Sequence, residues 1–141
     1  MKIIKYLMVI CALCAFTLVS ITDAQAKKKP DGKVYMFGFS ASFTDSLIYF
    51  TDIQVVDSAK IDPKTHFLQN RNIYAQQLQD YFSANMQANR VCIVMYALSQ
   101  SEAEKKYLKM RRIYTKETNG RYDVRYLTLN EFRFNPIPTY F

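Results

Sequence analysis

The sequence contains one histidine, His66, which is the first residue to consider for acid–base chemistry. It lies in the segment DPKTHF, whose composition is typical of a loop, and an imidazole there can act as a general acid, a general base or a metal ligand. Four aspartates recur along the first predicted hairpin and its exit: Asp45, Asp52, Asp57 and Asp62. Because a carboxylate can orient a catalytic imidazole, one hypothesis is a small hydrolase-like enzyme that uses His66 with a nearby aspartate.

These residue types also have simpler explanations. Aspartate stabilises turns, and the spacing of the four aspartates matches no calcium-binding loop. Cys92 lies in the apolar run RVCIVMYAL, so we expect a buried small side chain rather than a nucleophile. Gly32, Gly38 and Gly120 are too scattered for a phosphate-binding loop, and Gly38 indicates a bulge or close packing. We therefore predict no catalytic residues, no metal site and no cofactor.

A basic segment, KKYLKMRRIYTK at residues 105–116, has six cationic side chains in twelve positions. Two possible capping boxes precede it: Ser101 with Glu104, and Ser99 with Glu102. Asn119-Gly120 follows it, and both residue types tolerate the left-handed backbone that ends many helices. The pattern predicts a helix over residues 101–118.

This helix has two opposite faces. One stripe is apolar at helical spacing: Ala103, Tyr107, Met110 and Tyr114. The cationic stripe follows the same spacing two residues later: Lys105, Lys109, Arg112 and Lys116. Two residues turn a helix by about 200°, so the stripes lie on opposite sides. The cationic residues are our candidate binding residues, for an anionic partner or simply as a solvated face. The tyrosines point away from them, so base stacking and specific nucleic-acid binding are not expected.

The remaining patterns predict a mixed four-stranded sheet with two helices. Helical spacing covers residues 72–86, while alternating or continuous apolar runs indicate strands. The predicted strands are residues 34–41, 47–56, 90–98 and 122–129. The element order is β-β-α-β-α-β, with an antiparallel first hairpin, a buried central strand at 90–98 and an edge strand at 122–129. The fold class is α+β or α/β, most simply a two-layer sandwich with both helices packed on the sheet.

The N-terminus has the three parts of a secretory signal peptide. Lys2 and Lys5 are positively charged, an apolar run covers residues 7–21, and residues 24–26 (Ala-Gln-Ala) form a typical cleavage site. Because a membrane-spanning helix needs about 20 apolar residues, we expect cleavage after Ala26 and no membrane span afterwards. The alternative is retention of the segment as an anchor. We predict a periplasmic or secreted protein.

Cleavage would leave a basic chain with one cysteine. The full sequence has 19 basic and 12 acidic residues, and removing Lys2, Lys5 and Asp23 leaves 17 and 11, a net charge of +6. In an exported protein this charge favours envelope polymers, lipid headgroups or acidic proteins over chromosomal DNA. Cys92 would have no intrachain partner, so the core must stabilise the fold. We assign residues 1–26 to the signal, 27–33 to a flexible lead-in, 34–134 to one domain and 135–141 to a tail.

Two resemblances add to these inferences. The signal peptide followed by VYMFGFSASFTDSLIYFTDIQVVDS and YLKMRRIYTK resembles small exported proteins of unassigned function from Bacteroidota-type Gram-negative bacteria. This resemblance implies only that the protein is exported. Residues 90–129, with a strand, a serine-containing turn, a capped helix and a strand, are similar in layout to half of a SPOR domain, which binds denuded peptidoglycan glycans. The upstream half departs from that family because it has a hairpin in place of a strand and helix.

The sequence therefore predicts an exported, non-enzymatic binding or interaction module of the cell envelope. Its expected partner is an envelope polymer or protein. The hydrolase-like enzyme with His66 is the alternative from another class. A further alternative is binding to an anionic polymer or a lipid surface through the basic helix at 101–118.

Overall fold

The computed structural model describes residues 32–138, so the predicted signal peptide, most of the lead-in and the last three residues lie outside the described residues. The described chain forms one mixed sheet and two helices, which confirms the predicted α+β architecture. Its strands are β1 (Val34–Ala41), β2 (Leu47–Thr51), β3 (Gln54–Val56), β4 (Val91–Ala97) and β5 (Asp123–Leu127). Its helices are α1 (Arg71–Asn85) and α2 (Gln100–Arg112), the latter continued by a π-helical turn, Ile113–Glu117.

Strand β1 lies inside the sheet and pairs on both sides. The strand β4 runs antiparallel along one side, while β2 and β3 pair antiparallel along the other. The strand β5 lies parallel to β2 on the side away from β1. Across the sheet the order is therefore β4, β1, β2 and β5, and β3 pairs with the other half of the β1 edge that β2 occupies. The antiparallel hairpin of β1 and β2 and the edge position of β5 are as predicted.

The predicted strand at 47–56 is interrupted. Val34 pairs with Val56, whereas Phe39 pairs with Phe50, so one extra residue is accommodated between β2 and β3. This is the geometry of a β-bulge. The bulge lies beside Asp52, whose carboxylate accepts a hydrogen bond from the Leu129 amide at 3.3 Å.

The helices lie on opposite faces of the sheet, so the predicted two-layer arrangement is wrong and the molecule has three layers. On one face α1 contributes Tyr74, Leu78 and Phe82 to a core cluster with Met36 and Val94. On the other face the side chains of α2 pack against a second cluster: Phe37, Phe39, Ile48 and Phe50. The physical reason is that β1 and β2 are apolar on both alternating faces, and each face needs its own cover.

The predicted central position of the strand at 90–98 is also wrong, because β4 pairs only with β1 among the described strands. Its continuous apolar sequence reflects the two helices that cover its faces rather than neighbours on both sides. An apolar run indicates that both faces of a strand are buried, but it does not indicate how many strands pair with that strand.

Residues 128–138 add no strand to the sheet. Phe132 and Phe134 are nevertheless buried in the cluster beneath α1, and Ile137 packs against it. The contacts of the fold therefore continue past residue 134. Within residues 32–138, no helix combines the length and apolar character needed to cross a bilayer.

Candidate interface for an anionic partner

The local sequence of α2 determines which of its faces is exposed. Ser99 is the N-cap, and its hydroxyl accepts a hydrogen bond from the Glu102 amide at 3.2 Å, so the earlier of the two capping registers is used. Ala103 is buried, and Tyr107 lies edge-on to Phe37 with ring centres 5.1 Å apart. These contacts confirm that the apolar stripe points into the sheet.

Three of the predicted cations, Lys105, Lys109 and Arg112, lie on α2 opposite its apolar stripe, and Lys116 lies in the π-helical turn that continues it. All four are exposed. The ion pairs found among the described residues are Arg90 with Asp45 and Arg125 with Asp123. None of the four cations therefore has an ionic partner within residues 32–138. We call these four residues the basic face of α2.

Lys106 differs from its neighbours, although the sequence gives no sign of it. Its ammonium group donates a hydrogen bond to the Tyr96 carbonyl at 2.7 Å and lies 5.4 Å from the centre of the Tyr96 ring. Lys106 therefore ties α2 to strand β4 instead of extending the basic face.

A π-helical turn at Ile113–Glu117 ends the helix and was not predicted. Its wider turn changes the spacing rule that placed Lys116 in the stripe. Lys116 remains exposed, and Tyr114 still packs against Phe39 with ring centres 4.9 Å apart. The helix then ends at Asn119 and Gly120, which both adopt positive φ, as their residue types indicate.

His66 and Asp62 lie close together, as the enzyme hypothesis requires, but on an exposed loop. The Asp62 carboxylate accepts hydrogen bonds from the amides of Thr65 at 3.0 Å and Lys64 at 2.8 Å. These bonds lower the pKa of Asp62, and the charge of His66 adds a smaller effect. The His66 backbone has positive φ, and its carbonyl accepts a hydrogen bond from the Tyr96 hydroxyl at 3.1 Å. This is the hydrogen bonding of a turn, and His66 itself is exposed.

Of the other three aspartates, Asp45 and Asp52 make structural contacts. Asp45 accepts a hydrogen bond from the Leu47 amide at 2.9 Å and pairs with Arg90 at 3.4 Å. Asp52 holds the Leu129 amide beside the bulge, and Asp57 is exposed in the turn after β3. Among residues 32–138, no three potential metal ligands cluster closely enough to hold an ion.

Cys92 is partly buried against the cluster beneath α1. Burial raises the pKa of its thiol, while the Ser40 hydroxyl, 3.5 Å from Sγ, and the charge of Arg90 act in the opposite direction. A thiol held in its neutral form is a poor nucleophile, so the environment of Cys92 is that of a core residue.

Arg90 is a buried charge that sequence reasoning missed. It is 2 % exposed, its Nε donates to the Ser40 hydroxyl at 2.9 Å, and its guanidinium lies 5.0 Å from the Tyr49 ring centre. Arg90 is the first residue of the predicted strand 90–98, where a charged side chain would ordinarily extend into solvent. Since its donors face Ser40, Gln87, Asp45 and the Leu47 carbonyl, Arg90 stabilises the start of β4 and is not free for a ligand.

Two surface hollows are present beside the helices. One, of about 480 Å³, lies beside Arg71 and Val94 at the start of α1. The other, of about 470 Å³, lies between the β-bulge and α2 and includes Asp52, Glu104 and Tyr107. The Glu104 carboxylate accepts a hydrogen bond from Gln100 at 3.0 Å, and neither hollow includes His66. Neither hollow therefore places a nucleophile beside a general base.

Comparison of the chain with protein-family models, with curated proteins and with solved structures finds no match.

Proposed function

We propose that this protein is a non-enzymatic binding module of the cell envelope that holds an anionic partner on the basic face of α2. The observation that carries the proposal is the absence of ionic partners for Lys105, Lys109, Arg112 and Lys116 among the described residues. Unpaired cations on one rigid helix face produce a local positive potential that an external anion can neutralise.

The position of the tyrosines favours an anionic surface or polymer over a nucleic acid. Tyr107 and Tyr114 pack against Phe37, Phe39 and Phe50 and are not presented beside the cations. Stacking on exposed aromatic side chains supplies much of the affinity for single strands. The predicted signal peptide supports an envelope partner, namely acidic lipid headgroups or an acidic envelope polymer, which share negative charge as the recognised feature.

The test is binding to anionic vesicles across a salt series. Purified protein is sedimented with vesicles of a neutral phospholipid alone or mixed with an anionic phospholipid. Heparin and isolated peptidoglycan serve as polymer probes. We expect binding to the anionic vesicles that weakens steeply as salt rises, because exposed charges are screened within about 10 Å at 0.1 M salt. Binding to peptidoglycan that withstands salt would instead indicate glycan recognition.

A matched pair of variants separates the basic face from net charge. The variant Lys105→Glu/Lys109→Glu reverses two charges on the basic face, and Lys64→Glu/Arg133→Glu reverses two exposed charges elsewhere. Each basic residue near an anionic membrane contributes about 1 kcal/mol, so the first variant should lose about tenfold or more in affinity. Equal losses in both variants would refute the basic face as the binding site.

A further inference from the structure

The edge strands β4 and β5 differ in how their outward backbone groups are satisfied. At β4 the outward carbonyl of Val94 accepts a hydrogen bond from Arg71 Nε at 2.9 Å, and the Tyr96 carbonyl accepts one from the Lys106 ammonium at 2.7 Å. Both cations also lie over the Tyr96 ring, at 5.5 Å and 5.4 Å from its centre. Long cationic side chains therefore cover this edge, and they oppose pairing with another strand.

The outer edge of β5 has no such cover. The Asp123 amide donates to the Ser46 carbonyl at 2.9 Å, and the Leu127 carbonyl accepts from the Asp52 amide at 3.1 Å. Backbone groups alternate in direction along a strand, so those of Val124 and Tyr126 point outward. Within residues 32–138, neither Val124 nor Tyr126 has a hydrogen-bond partner for these outward groups.

The sequence of this edge is self-complementary. Residues 122–126 read Tyr-Asp-Val-Arg-Tyr. If two copies pair antiparallel with Val124 opposite Val124, then each Asp123 faces Arg125 of the second copy and each Tyr122 faces Tyr126. Opposite charges and aromatic rings directly across an antiparallel pair are stabilising. Centring the pair on Arg125 would instead oppose two guanidinium groups, which is unfavourable.

The side chains at this edge are accessible for such pairing. Asp123 and Arg125 form an ion pair within one copy at 2.9 Å, with side chains 52 % and 55 % exposed. Tyr126 is 45 % exposed, while its ring stacks against Phe50 with centres 6.4 Å apart. In the paired arrangement each carboxylate lies between two guanidinium groups, one from its own copy and one from the other.

We propose that the protein is a homodimer in which the β5 edges of two copies pair antiparallel about Val124. The occupant of the edge is a second copy because the charge pattern of residues 123–125 complements itself in this register. The dimer continues the sheet across both copies and satisfies the outward groups of Val124. This inference goes beyond the proposed binding function and does not depend on it.

The test is sedimentation equilibrium of the purified protein across a concentration series. We expect a monomer–dimer equilibrium for the natural sequence. Arg125→Asp places a second carboxylate opposite Asp123 of the other copy and should raise the dimer dissociation constant by about tenfold or more. Asp123→Arg should do the same, because it opposes two cations. Lys64→Asp makes the same charge change as Arg125→Asp away from the edge and should leave the equilibrium unchanged.

Two further variants make the test specific to the register. The double variant Asp123→Arg/Arg125→Asp restores opposite charges across the pair and should dimerise again. Mixing the two single variants should give a heterodimer, because one copy then carries two cations and the other two carboxylates.

Val124→Pro removes an outward amide and keeps the backbone bonds to β2, but it also replaces a side chain that packs beside Phe37 and Phe50. We expect a folded monomer, with the fold checked by circular dichroism. A natural protein that stays monomeric, or an unrescued double variant, would overturn the proposal.

Discussion

At the scale of single residues, burial rather than sequence position determines chemical behaviour. Arg90 and Lys109 are both cations in the same small domain, yet Arg90 is enclosed by hydrogen-bond acceptors and aromatic rings, and Lys109 is exposed without an ionic partner among the described residues. A buried guanidinium left without acceptors is strongly destabilising, so Arg90 has a structural role. An exposed ammonium contributes little to stability and remains available for binding.

Tyr107 gives a pH-dependent prediction at this scale. Desolvation raises the pKa of its phenol from 10.0 to about 12 in the folded protein. Below pH 10 the phenol is neutral in both the folded and unfolded states, and its contribution to stability is fully present. As the pH rises from 10 toward 12, the unfolded state ionises first, so the free energy of unfolding falls.

The measurement is the urea midpoint as a function of pH in this alkaline range. We expect the decline to be steeper for the natural protein than for Tyr107→Phe, which cannot ionise and retains the ring contacts with Phe37 and Phe50. Parallel declines for the two proteins would show that the Tyr107 phenol ionises equally readily in both states.

At the scale of elements, Gly38 sets the distance between α1 and the sheet. A Cβ atom at this position would lie 2.5 Å from Leu78 Cδ2 and 3.1 Å from Thr51 Cγ2. The Gly38 amide also donates to the Thr51 hydroxyl at 2.8 Å, which fixes the neighbouring strand. The close-packing explanation for this glycine is therefore correct, and the helix approaches the strand where a side chain is absent.

A double-mutant cycle tests this packing. Gly38→Ala should lower the free energy of unfolding by about 1–3 kcal/mol, because the methyl group overlaps Leu78. Leu78→Ala alone should cost about 2–5 kcal/mol through the cavity that it leaves. The double variant should be destabilised by less than the sum, because the new methyl group occupies part of that cavity. Strict additivity in urea unfolding would contradict direct contact between the two positions.

Two glutamines attach the segment after β5 to the fold. Gln54 donates to the Phe132 carbonyl and accepts from the Phe134 amide at 2.8 Å. Gln77 makes the same pair of bonds with the backbone of Asn135, at 3.0 Å and 2.8 Å. These side-chain amides replace the bonds that a strand partner would supply, which explains how Phe132 and Phe134 are buried without extending the sheet.

At the scale of the whole molecule, the proposed dimer has a geometric consequence for binding. Residues directly opposite in an antiparallel pair lie on the same face of the sheet. Val124 lies on the face that α2 covers, so the α2 helices of both copies would lie on one side of the continuous sheet. The two basic faces would then meet the same anionic surface.

Joining two modest sites in this way raises the apparent affinity through effective concentration. Val124→Pro keeps the net charge and the basic face, yet it should weaken binding to anionic vesicles by about tenfold or more. Vesicle sedimentation at equal protein concentration measures this loss, with Lys64→Asp as a control that retains dimerisation. Undiminished binding by a variant shown to be monomeric would mean that one basic face is sufficient.

Features that depend on local spacing and residue type can be predicted from the amino-acid sequence alone. The hairpin, both helices, the buried and exposed stripes of α2 and the edge position of β5 follow from periodicity, capping residues and turn residues. The basic face is the clearest case, because a helix fixes the relative directions of Lys105, Lys109 and Arg112 without tertiary contacts.

Features that depend on contacts between distant segments became apparent only in the folded chain. The opposite placement of the helices, the edge position of β4, the enclosure of Arg90 and the covered carbonyls of Val94 and Tyr96 all join residues far apart in sequence. An apolar run reports that a strand is covered, but neither which element covers it nor which strand lies beside it. That choice depends on the whole chain packing at once.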